Sequence, residues 1–339
     1  MLFRDLTIES LSYELAPNKV TSVQLEDRLN GAMTRMRLPP HPIELLTGIS
    51  ERGFWDRGTL VSEVAARAGR KALADAGVHA SDVGLLISTS VSKDYLEPSI
   101  ASLVHGELGL DTRCASFDLA NACLGFLNGI ETAGQMIEAG VIDYALIVDG
   151  ESSGNIVDAT LKRLVGPDAT SQDFWDNFAT LTLGSAAVAM VLGHRRNTRT
   201  GHRVNGSVSR ADTENNRLCL GTAESMVTDS TRLLKAGVAL AGRTWSHASE
   251  ALPNWSAGTI DQFILHQVGR SHMVAICQAL GIPQQKCFLT YPTLGNVGPA
   301  AVPLTLALAE EAGRIRPGDH VALMGIGSGL NVAMMSVTW

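Results

Sequence analysis

Short apolar runs alternate with amphipathic stretches along the chain, a pattern typical of strands joined by helices. Residues 60–76 carry apolar side chains at helical spacing and end at Gly77, a residue that often terminates helices. Residues 83–88 form a continuous apolar run, which predicts a strand buried on both faces. Further strands are predicted at residues 6–13, 144–148, 185–192, 204–209 and 263–265, and helical segments at 155–178 and 230–252. This order predicts an α/β protein.

The second half of the chain repeats the order of the first. NVGPAAVPLTLALAEEAG from Asn296 echoes NACLGFLNGIETAGQMIEAG from Asn121, and DYALIVDG from Asp143 is matched by DHVALMGIG from Asp319. Self-similarity over about 150 residues is too long for a solenoid repeat and indicates a duplicated β/α unit. We predict an N-terminal half at 1–195 and a C-terminal half at 196–339, whose corner helices meet and bring Cys123 near Asn296.

Composition narrows the class of protein. With 339 residues and 45% hydrophobic content, the chain can bury a large core. Its five cysteines are odd in number and lack metal-ligand spacing, so we expect a reducing compartment and no zinc site. The N-terminus MLFRDLTIES has no apolar signal region, and no run approaches the ~18 residues of a membrane span, which predicts a cytoplasmic protein. The net charge of −7 argues against nucleic-acid binding.

Residues 116–140 contain the main candidate for a nucleophile. A short apolar strand runs through a turn of small residues into an apolar helix, and Cys123 lies on the corner. At a helix N-terminus the free N–H groups and the helix dipole favour an anion, so a thiol of ordinary pKa ~8.5 can become a thiolate nucleophile at neutral pH. A buried structural cysteine is the competing interpretation.

Three other positions could carry chemistry. His266 ends a buried strand in FILHQV, and the carboxyl ends of parallel strands face the usual ligand crevice. Asn296 in LGNVGPA is either a turn residue or an active-site amide. The sequence GIGSG at 325–329 lacks GxGxxG spacing and opens no helix, so it predicts an oxyanion hole rather than a nucleotide site. Glu97, before Pro98, is on these grounds alone a solvated loop residue.

Together these motifs resemble the thiolase superfamily and, within it, the initiating ketoacyl synthases of type III. The shared features are a cysteine in NAC at a helix start, a histidine in HQ, an asparagine in GN 30 residues later and a C-terminal GIGSG. The strings TSVSKDYLEPSIAS, FDLANACLGFLNG, IDYALIVDGE, ILHQV, GNVGPAAVP and VALMGIGSGLN are similar to OleA-type acyl-CoA condensing enzymes of long-chain olefin biosynthesis. The resemblance implies a thiolase-like fold with duplicated βαβαβαββ halves in five α/β/α/β/α layers.

The resemblance also implies a reaction and residue roles. Two fatty acyl-CoA thioesters would undergo a Claisen condensation without decarboxylation, giving a 2-alkyl-3-ketoacid or its CoA ester. Cys123 would take the first acyl chain, and His266 and Asn296 would polarise the thioester carbonyls. Glu97, reaching the neighbouring subunit's site, would remove the α-proton of the second chain. The backbone N–H groups of Cys123 and Ser328 would hold the oxyanion.

A homodimer is the implied assembly, and other enzymes of the olefin pathway are candidate partners. Fatty acyl-CoA would be the substrate, with coenzyme A present only as part of it and no cofactor or metal. Four arginines are candidates for binding the CoA phosphates, each also interpretable as an ordinary surface charge: Arg52, Arg203, Arg210 and Arg217. One departure from the family is LTYPTL before GN, where relatives have a more polar loop; this leaves chain-length preference and product release open.

Three alternative functions fit parts of this pattern. A decarboxylating 3-oxoacyl-ACP synthase III-like enzyme would use malonyl-ACP and obtain its carbanion by losing CO2, so it would need no carboxylate base. A hydroxymethylglutaryl-type synthase also uses Cys, His and Glu. A non-catalytic acyl-binding or chain-length partner subunit would need a pocket but no nucleophile. Glu97 as an external base favours the non-decarboxylating condensation over the decarboxylating one, and the presence of Cys123, His266 and Asn296 argues against a non-catalytic subunit.

Overall fold

One nine-stranded sheet, whose two halves we call the N-terminal and C-terminal sheets, packs around a central pair of helices in the computed structural model, which describes residues 1–339. The strands are β1 (Leu6–Leu15), β2 (Asn18–Thr21), β3 (Glu51–Phe54), β4 (Val83–Ser88), β5 (Ala115–Asp118), β6 (Tyr144–Glu151), β7 (Ala186–His194), β8 (Arg203–Ala211), β9 (Cys219–Gly221), β10 (Met226–Thr228), β11 (Gln262–Leu265), β12 (His320–Gly327) and β13 (Asn331–Thr338). The α-helices are α1 (Ser22–Asp27), α2 (Asn30–Arg35), α3 (Pro42–Thr47), α4 (Val61–Ala76), α5 (Ile100–Leu108), α6 (Gly125–Glu138), α7 (Gly154–Val165), α8 (Ser171–Asp176), α9 (Ser230–Ala251), α10 (Arg270–Leu280), α11 (Tyr291–Leu294) and α12 (Ala301–Glu311).

The N-terminal sheet has the strand order β1-β7-β6-β4-β5. Strand β4 pairs in parallel with both β5 and β6, while β7 runs antiparallel to β6 and β1. All but one residue of β4 are buried, which confirms the strand predicted from the continuous apolar run at 83–88. Helix α4 ends at Gly77 in the left-handed conformation, as the sequence pattern predicts. The carboxyl ends of the parallel strands therefore share one edge of the molecule.

The C-terminal sheet follows the same plan with the order β8-β13-β12-β11. Strands β11 and β12 are parallel, and β13 runs antiparallel to β12 and β8. Strand β5 has no full counterpart in the C-terminal half. In its place, an isolated bridge joins Phe263 of β11 to Cys287. The two halves join where Thr7 of β1 pairs with Arg203 of β8 and where Leu2 bridges to Gly206. The duplicated βαβαβαββ order is confirmed, except that the counterpart of β5 in the second half is shortened to a single bridge.

Helices α6 and α12 form the middle layer between the sheets. Phe126 of α6 and Leu304 of α12 belong to the same buried cluster as Ile147 of β6 and Leu323 of β12. Helices α4 and α5 contribute to a second core on the outer face of the N-terminal sheet, and α9 and α10 to a third on the outer face of the C-terminal sheet. Burying each large apolar side chain contributes about 1.5–3 kcal/mol, so this arrangement fixes the five layers.

Some local expectations are corrected by the structure. The helical segment predicted at 155–178 divides into α7 and α8, because Pro167 cannot continue a helix. Strand β3, which pairs with β2, was not among the strands predicted from the sequence. The domain boundary at 195/196 falls in the short connection between β7 and β8 and stays a prediction. None of the helices combines the length and apolar character required to span a bilayer.

Gly184 provides a test of how closely the halves pack. Its N–H donates to the carbonyl oxygen of Asn296 at 2.9 Å, and a Cβ there would overlap the carbonyl oxygen of Leu294. We expect Gly184→Ala to lower the free energy of unfolding by about 1–3 kcal/mol, as overpacking does. Urea unfolding measures this change.

The matched control is Gly106→Ala in helix α5, where a Cβ would meet no atom within 4 Å. Because alanine loses less conformational freedom in a helix than glycine, we expect this variant to be more stable by about 0.5–1 kcal/mol. Equal stability of Gly184→Ala and the unmodified protein would contradict the packing described for the Asn296 turn.

Candidate active site

Cys123 lies on a tight corner between β5 and α6. The corner is closed by hydrogen bonds from Leu124 N–H to Asn121 O at 3.0 Å and from Gly125 N–H to Ala122 O at 3.1 Å. Ala122 adopts φ +44°, a left-handed conformation that is rare for a residue with a Cβ and that clusters at functional sites. Cys123 remains partly exposed on this corner. The strand, turn and helix predicted around the cysteine are therefore present.

The glycine-rich turn after β12 packs directly on the Cys123 corner. A Cβ on Gly327 would lie 3.0 Å from the carbonyl oxygen of Asn121 and 3.2 Å from Cβ of Leu124. The side chain of Asn121 accepts a hydrogen bond from Nδ2 of Asn331 at 3.1 Å, which ties the corner to the start of β13. Ser328 lies in the turn between Gly327 and Asn331 and is half-buried. Its N–H group as an oxyanion donor stays a prediction.

His266 approaches the same place from β11. Its N–H donates to Met324 O at 2.8 Å, and its side chain is only 3% exposed. A small apolar cavity beside the ring is also lined by Gly325. Because a Cβ on Gly325 would lie 2.6 Å from Cδ1 of Leu124, the segment beside His266 is packed against the Cys123 corner. Burial, with a smaller contribution from His272, lowers the pKa of His266 to about 3, so its imidazole is neutral at neutral pH.

His272 was not identified from the sequence. Its ring lies 6.5 Å from the His266 ring, edge to face, and lines the same cavity. Burial lowers the pKa of His272 to about 4. Nδ1 of each ring is buried without a hydrogen-bond partner in the chain. The available sequence signal was the second histidine of HQVGRSH, in the first turn of the helix after the His266 strand.

Asn296 is held in the turn before α12. Its N–H donates to Thr182 O at 2.8 Å and its carbonyl oxygen accepts from Gly184 N–H at 2.9 Å. Side-chain Oδ1 accepts from Gly298 N–H at 3.1 Å. The amide oxygen is thus used within the turn, which leaves the NH2 group to donate to a ligand.

Two buried carboxylates, Asp149 and Glu151, lie on β6 close to the nucleophile. Asp149 accepts from Thr89 Oγ1 at 2.6 Å, and Glu151 accepts from Val91 N–H at 2.6 Å and from Ser92 Oγ at 2.7 Å. Burial raises the pKa of Asp149 well above its ordinary value and raises the pKa of Glu151 to about 7. Neither carboxylate was predicted from the sequence, although two alternating acids at the end of a buried strand were a visible signal.

The surroundings of Cys123 oppose the thiolate that its place at a helix N-terminus favours. Burial raises the pKa of the Cys123 thiol to about 12, and Glu151, Cys219 and Asp149 add to the shift in that order. The field of the helix N-terminus is outweighed by the exclusion of water and by the neighbouring carboxylates. A raised pKa favours the protonated thiol at neutral pH, so the thiol proton has to be removed when Cys123 acts as a nucleophile.

Glu97 lies apart from this buried cluster. It is exposed on the segment between β4 and α5, beside Tyr95 and Leu96, which are 50% and 103% exposed. A single chain therefore leaves Glu97 at the surface, while Cys123 and His266 meet around the turn after β12.

Two of the four arginines proposed to bind the CoA phosphates do not lie at the surface near Cys123. Arg52 is buried, and Arg203 is distant from the site. Arg52 is fully buried and donates to Ser22 Oγ at 3.0 Å and to Leu181 O at 3.2 Å, so its expected contact with CoA phosphates at the surface does not fit the structure. Arg203 pairs with Thr338 at the end of β13 remote from the site.

Arg210 and Arg217 remain candidates. Arg210 is exposed and pairs with Val332, next to the glycine-rich turn, roughly 23 Å along β8 from Arg203 at about 3.3 Å per residue. Arg217 is also exposed and follows in the connection to β9. The chain shows no group of three or more His, Cys, Asp or Glu side chains placed to hold a metal ion.

Family models match two parts of the chain. Residues 117–213 match the 3-oxoacyl-[acyl-carrier-protein] synthase III family, and residues 251–339 match the C-terminal part of the same family. The chain is 43% identical over 339 residues to an acyl-CoA:acyl-CoA alkyltransferase of Xanthomonas campestris pv. campestris, with 100% of both chains covered. It is 39% identical to the enzyme of the same name from Shewanella oneidensis, again with full coverage of both.

A more distant relative is a beta-ketoacyl-[acyl-carrier-protein] synthase III of Natranaerobius thermophilus, 30% identical with 86% of this chain and 89% of the relative covered. Among solved structures, cerulenin-bound Xanthomonas campestris OleA aligns with a TM-score of 0.98 at 43% identity, covering 100% of this chain and 98% of that chain. A variant of the same protein with bound lauric acid and lauroyl-CoA aligns at 0.97 and 42% identity, with 100% of both covered. The thiolase-like fold and the full-length similarity place this chain in the OleA-type acyl-CoA:acyl-CoA alkyltransferase family of the thiolase superfamily.

Proposed function

We propose that this chain joins two fatty acyl-CoA molecules by a Claisen condensation that releases no CO2 and proceeds through an acyl thioester on Cys123. The observation that carries the proposal is the packing of the Cys123 corner against the segment beside His266, combined with an exposed Glu97 on an apolar surface. Relatives that match over the full length carry the same enzyme name, and one was solved with lauroyl-CoA.

In the first step, Cys123 takes an acyl group from acyl-CoA. The new bond joins Sγ to the thioester carbonyl carbon, the bond from that carbon to the CoA sulfur breaks, and the thiol proton ends on the departing CoA thiolate. Neutral His266 has a lone pair that can carry this proton between the two sulfurs. The N–H groups of Cys123 and Ser328 are the proposed donors to the tetrahedral oxyanion.

In the second step, the partner subunit supplies the base. Its Glu97 carboxylate removes an α-proton from the second acyl-CoA, and the resulting enolate carbon attacks the acyl carbonyl on Cys123. The bond from that carbonyl carbon to Sγ breaks, and the cysteine recovers the proton held by Glu97. His266 and the Asn296 amide donate hydrogen bonds to the enolate oxygen. The immediate product is a 2-alkyl-3-ketoacyl-CoA, and its hydrolysis gives the free 2-alkyl-3-ketoacid.

The apolar side chains exposed near Glu97 support an active site that is shared between two subunits. Val91, Tyr95 and Leu96 belong to the loop that carries the carboxylate and are 51%, 50% and 103% exposed, and Phe117 on β5 is 38% exposed. Burial of these side chains against a second copy would remove them from water and place Glu97 within a two-chain site. We therefore propose a homodimer in which each loop serves the opposite nucleophile.

A second candidate function is the decarboxylating condensation of the synthase III family, which the family models favour. Such an enzyme consumes malonyl-carrier protein and releases CO2. Product formation from a fatty acyl-CoA alone separates the two functions, because the decarboxylating reaction has no carbanion source under those conditions.

The two proposed steps can be separated by mutation. With one fatty acyl-CoA and no malonyl donor, the unmodified protein should give both an acyl adduct and a condensed product. Cys123→Ala should give neither, and Glu97→Ala should still acylate Cys123 but form no condensed product. Intact-protein mass and product mass spectrometry measure both outcomes, and normal condensation by Glu97→Ala would remove the basis for this function.

Mixing subunits tests whether the site is shared. When Cys123→Ala and Glu97→Ala chains are co-expressed, half of the randomly paired dimers are hybrids, and each hybrid has one site with both groups intact. We expect about a quarter of the unmodified activity, although each variant alone is inactive. If Glu97 served its own chain, the mixture would stay inactive.

The thiol pKa predicts how Cys123 reacts with iodoacetamide. Because the pKa is raised to about 12, alkylation of Cys123 should keep accelerating as pH rises from 7 to 10. Glu151 raises this pKa only when it is charged, so Glu151→Gln should accelerate alkylation above about pH 7 and have little effect below it. Peptide mass mapping isolates Cys123 from the other cysteines. A rate that is already constant with pH at pH 7 would indicate a resting thiolate instead.

A further inference from the structure

Glu151 connects two parts of the site that lie far apart in sequence. It is the last residue of β6 and is only 7% exposed. Its Oε1 accepts from Val91 N–H at 2.6 Å, and its Oε2 accepts from Ser92 N–H at 3.3 Å and from Ser92 Oγ at 2.7 Å. Two successive peptide groups at the start of the Glu97 loop are therefore bound by one carboxylate.

The same carboxylate also faces the Asn296 turn. Gly298 has φ +59°, and a Cβ there would lie 3.5 Å from Cδ and Cγ of Glu151. Gly298 N–H is the donor that orients Oδ1 of Asn296 at 3.1 Å. Glu151 thus lies between the turn that presents the Asn296 amide and the loop that presents Glu97.

The rest of the loop is anchored while its tip is free. Asp118 accepts from Ile100 N–H at 3.1 Å, from Ala101 N–H at 2.8 Å and from Lys93 Nζ at 2.5 Å. Asp94 accepts from the first N–H groups of α4 at 2.6 and 3.0 Å. Residues 95–97 are exposed between these anchors, so carboxylate contacts at the base of the loop determine where its tip projects.

We infer that Glu151 is a positioning residue for condensation: by holding the N–H groups of Val91 and Ser92, it sets where Glu97 enters the neighbouring site. The inference rests on the proposed function, in which Glu97 acts across the dimer. Proton removal from carbon requires the base to be closely placed, and a displacement of about 1 Å can reduce a rate 100-fold. Acylation of Cys123 uses no atom of the loop and should be insensitive to this displacement.

The test is Glu151→Gln, which keeps the side-chain volume but replaces one accepting oxygen with an NH2 group. We expect acyl-Cys123 formation at least as fast as in the unmodified protein and condensation slower by about 10- to 100-fold. Rapid-quench intact mass with one fatty acyl-CoA measures acylation, and product mass spectrometry measures condensation. Ser92→Ala removes one of the same hydrogen bonds by a milder change and should produce a smaller loss in condensation alone.

Glu9→Gln is the matched control. Glu9 is a 5% exposed glutamate that accepts from Thr7 Oγ1 at 2.6 Å and from Arg199 N–H at 2.9 Å, and it contacts no part of the Glu97 loop. It lies on β1 at the end of the sheet opposite Glu151. We expect both steps to be retained in this variant.

The outcomes separate this inference from the proposed function. Normal condensation by Glu151→Gln, or an equal loss of acylation and condensation in Glu151→Gln and Ser92→Ala, would overturn the positioning role. If Glu97→Ala, measured in parallel, condenses normally, the proposed function itself fails. If Glu151→Gln does not fold, Ser92→Ala decides, since unchanged condensation in that variant also contradicts the inference.

Discussion

Close backbone packing between the two halves is the constraint on which the site depends. Gly325 of β12 lies against Leu124, and Gly327 lies against the carbonyl oxygen of Asn121. A Cβ atom at either glycine would lie only 2.6 or 3.0 Å from these neighbours. Cys123 lies between Asn121 and Leu124 in sequence. The N–H group of His266 donates a hydrogen bond to the carbonyl oxygen of Met324, the residue before Gly325. The relative placement of nucleophile and imidazole therefore follows from sheet and helix packing, which is stiffer than contacts between long side chains.

Exclusion of water governs the chemistry of the resting site. Burial raises the pKa of Cys123, Asp149 and Glu151 and lowers the pKa of His266 and His272, so each group is shifted toward its neutral form. Such a site stabilises transient negative charge with N–H dipoles, which need little rearrangement when the charge develops. The proposed base, Glu97, is exposed in the single chain and would join the site only through the partner.

Local periodicity was sufficient to predict β4, α4, α9 and the Cys123 corner, because each depends on residues close in sequence. Properties set by distant residues could not be predicted in this way. Arg52 lies in a polar segment but is buried by residues more than 100 positions away, and the thiol pKa is dominated by burial and by carboxylates on another strand. Glu151 was missed because its partners are about 60 residues away and its strand otherwise looks purely structural.

The central claim is that the partner's Glu97 removes the α-proton of an acyl-CoA. Deuterium exchange in D2O tests it directly in the Cys123→Ala background, where the enolate has no acyl-cysteine to attack and must take a deuteron back at carbon. We expect acyl-CoA recovered from Cys123→Ala to carry deuterium at the α position, and the additional change Glu97→Gln to prevent this exchange. Exchange at the same rate in both proteins would contradict the account.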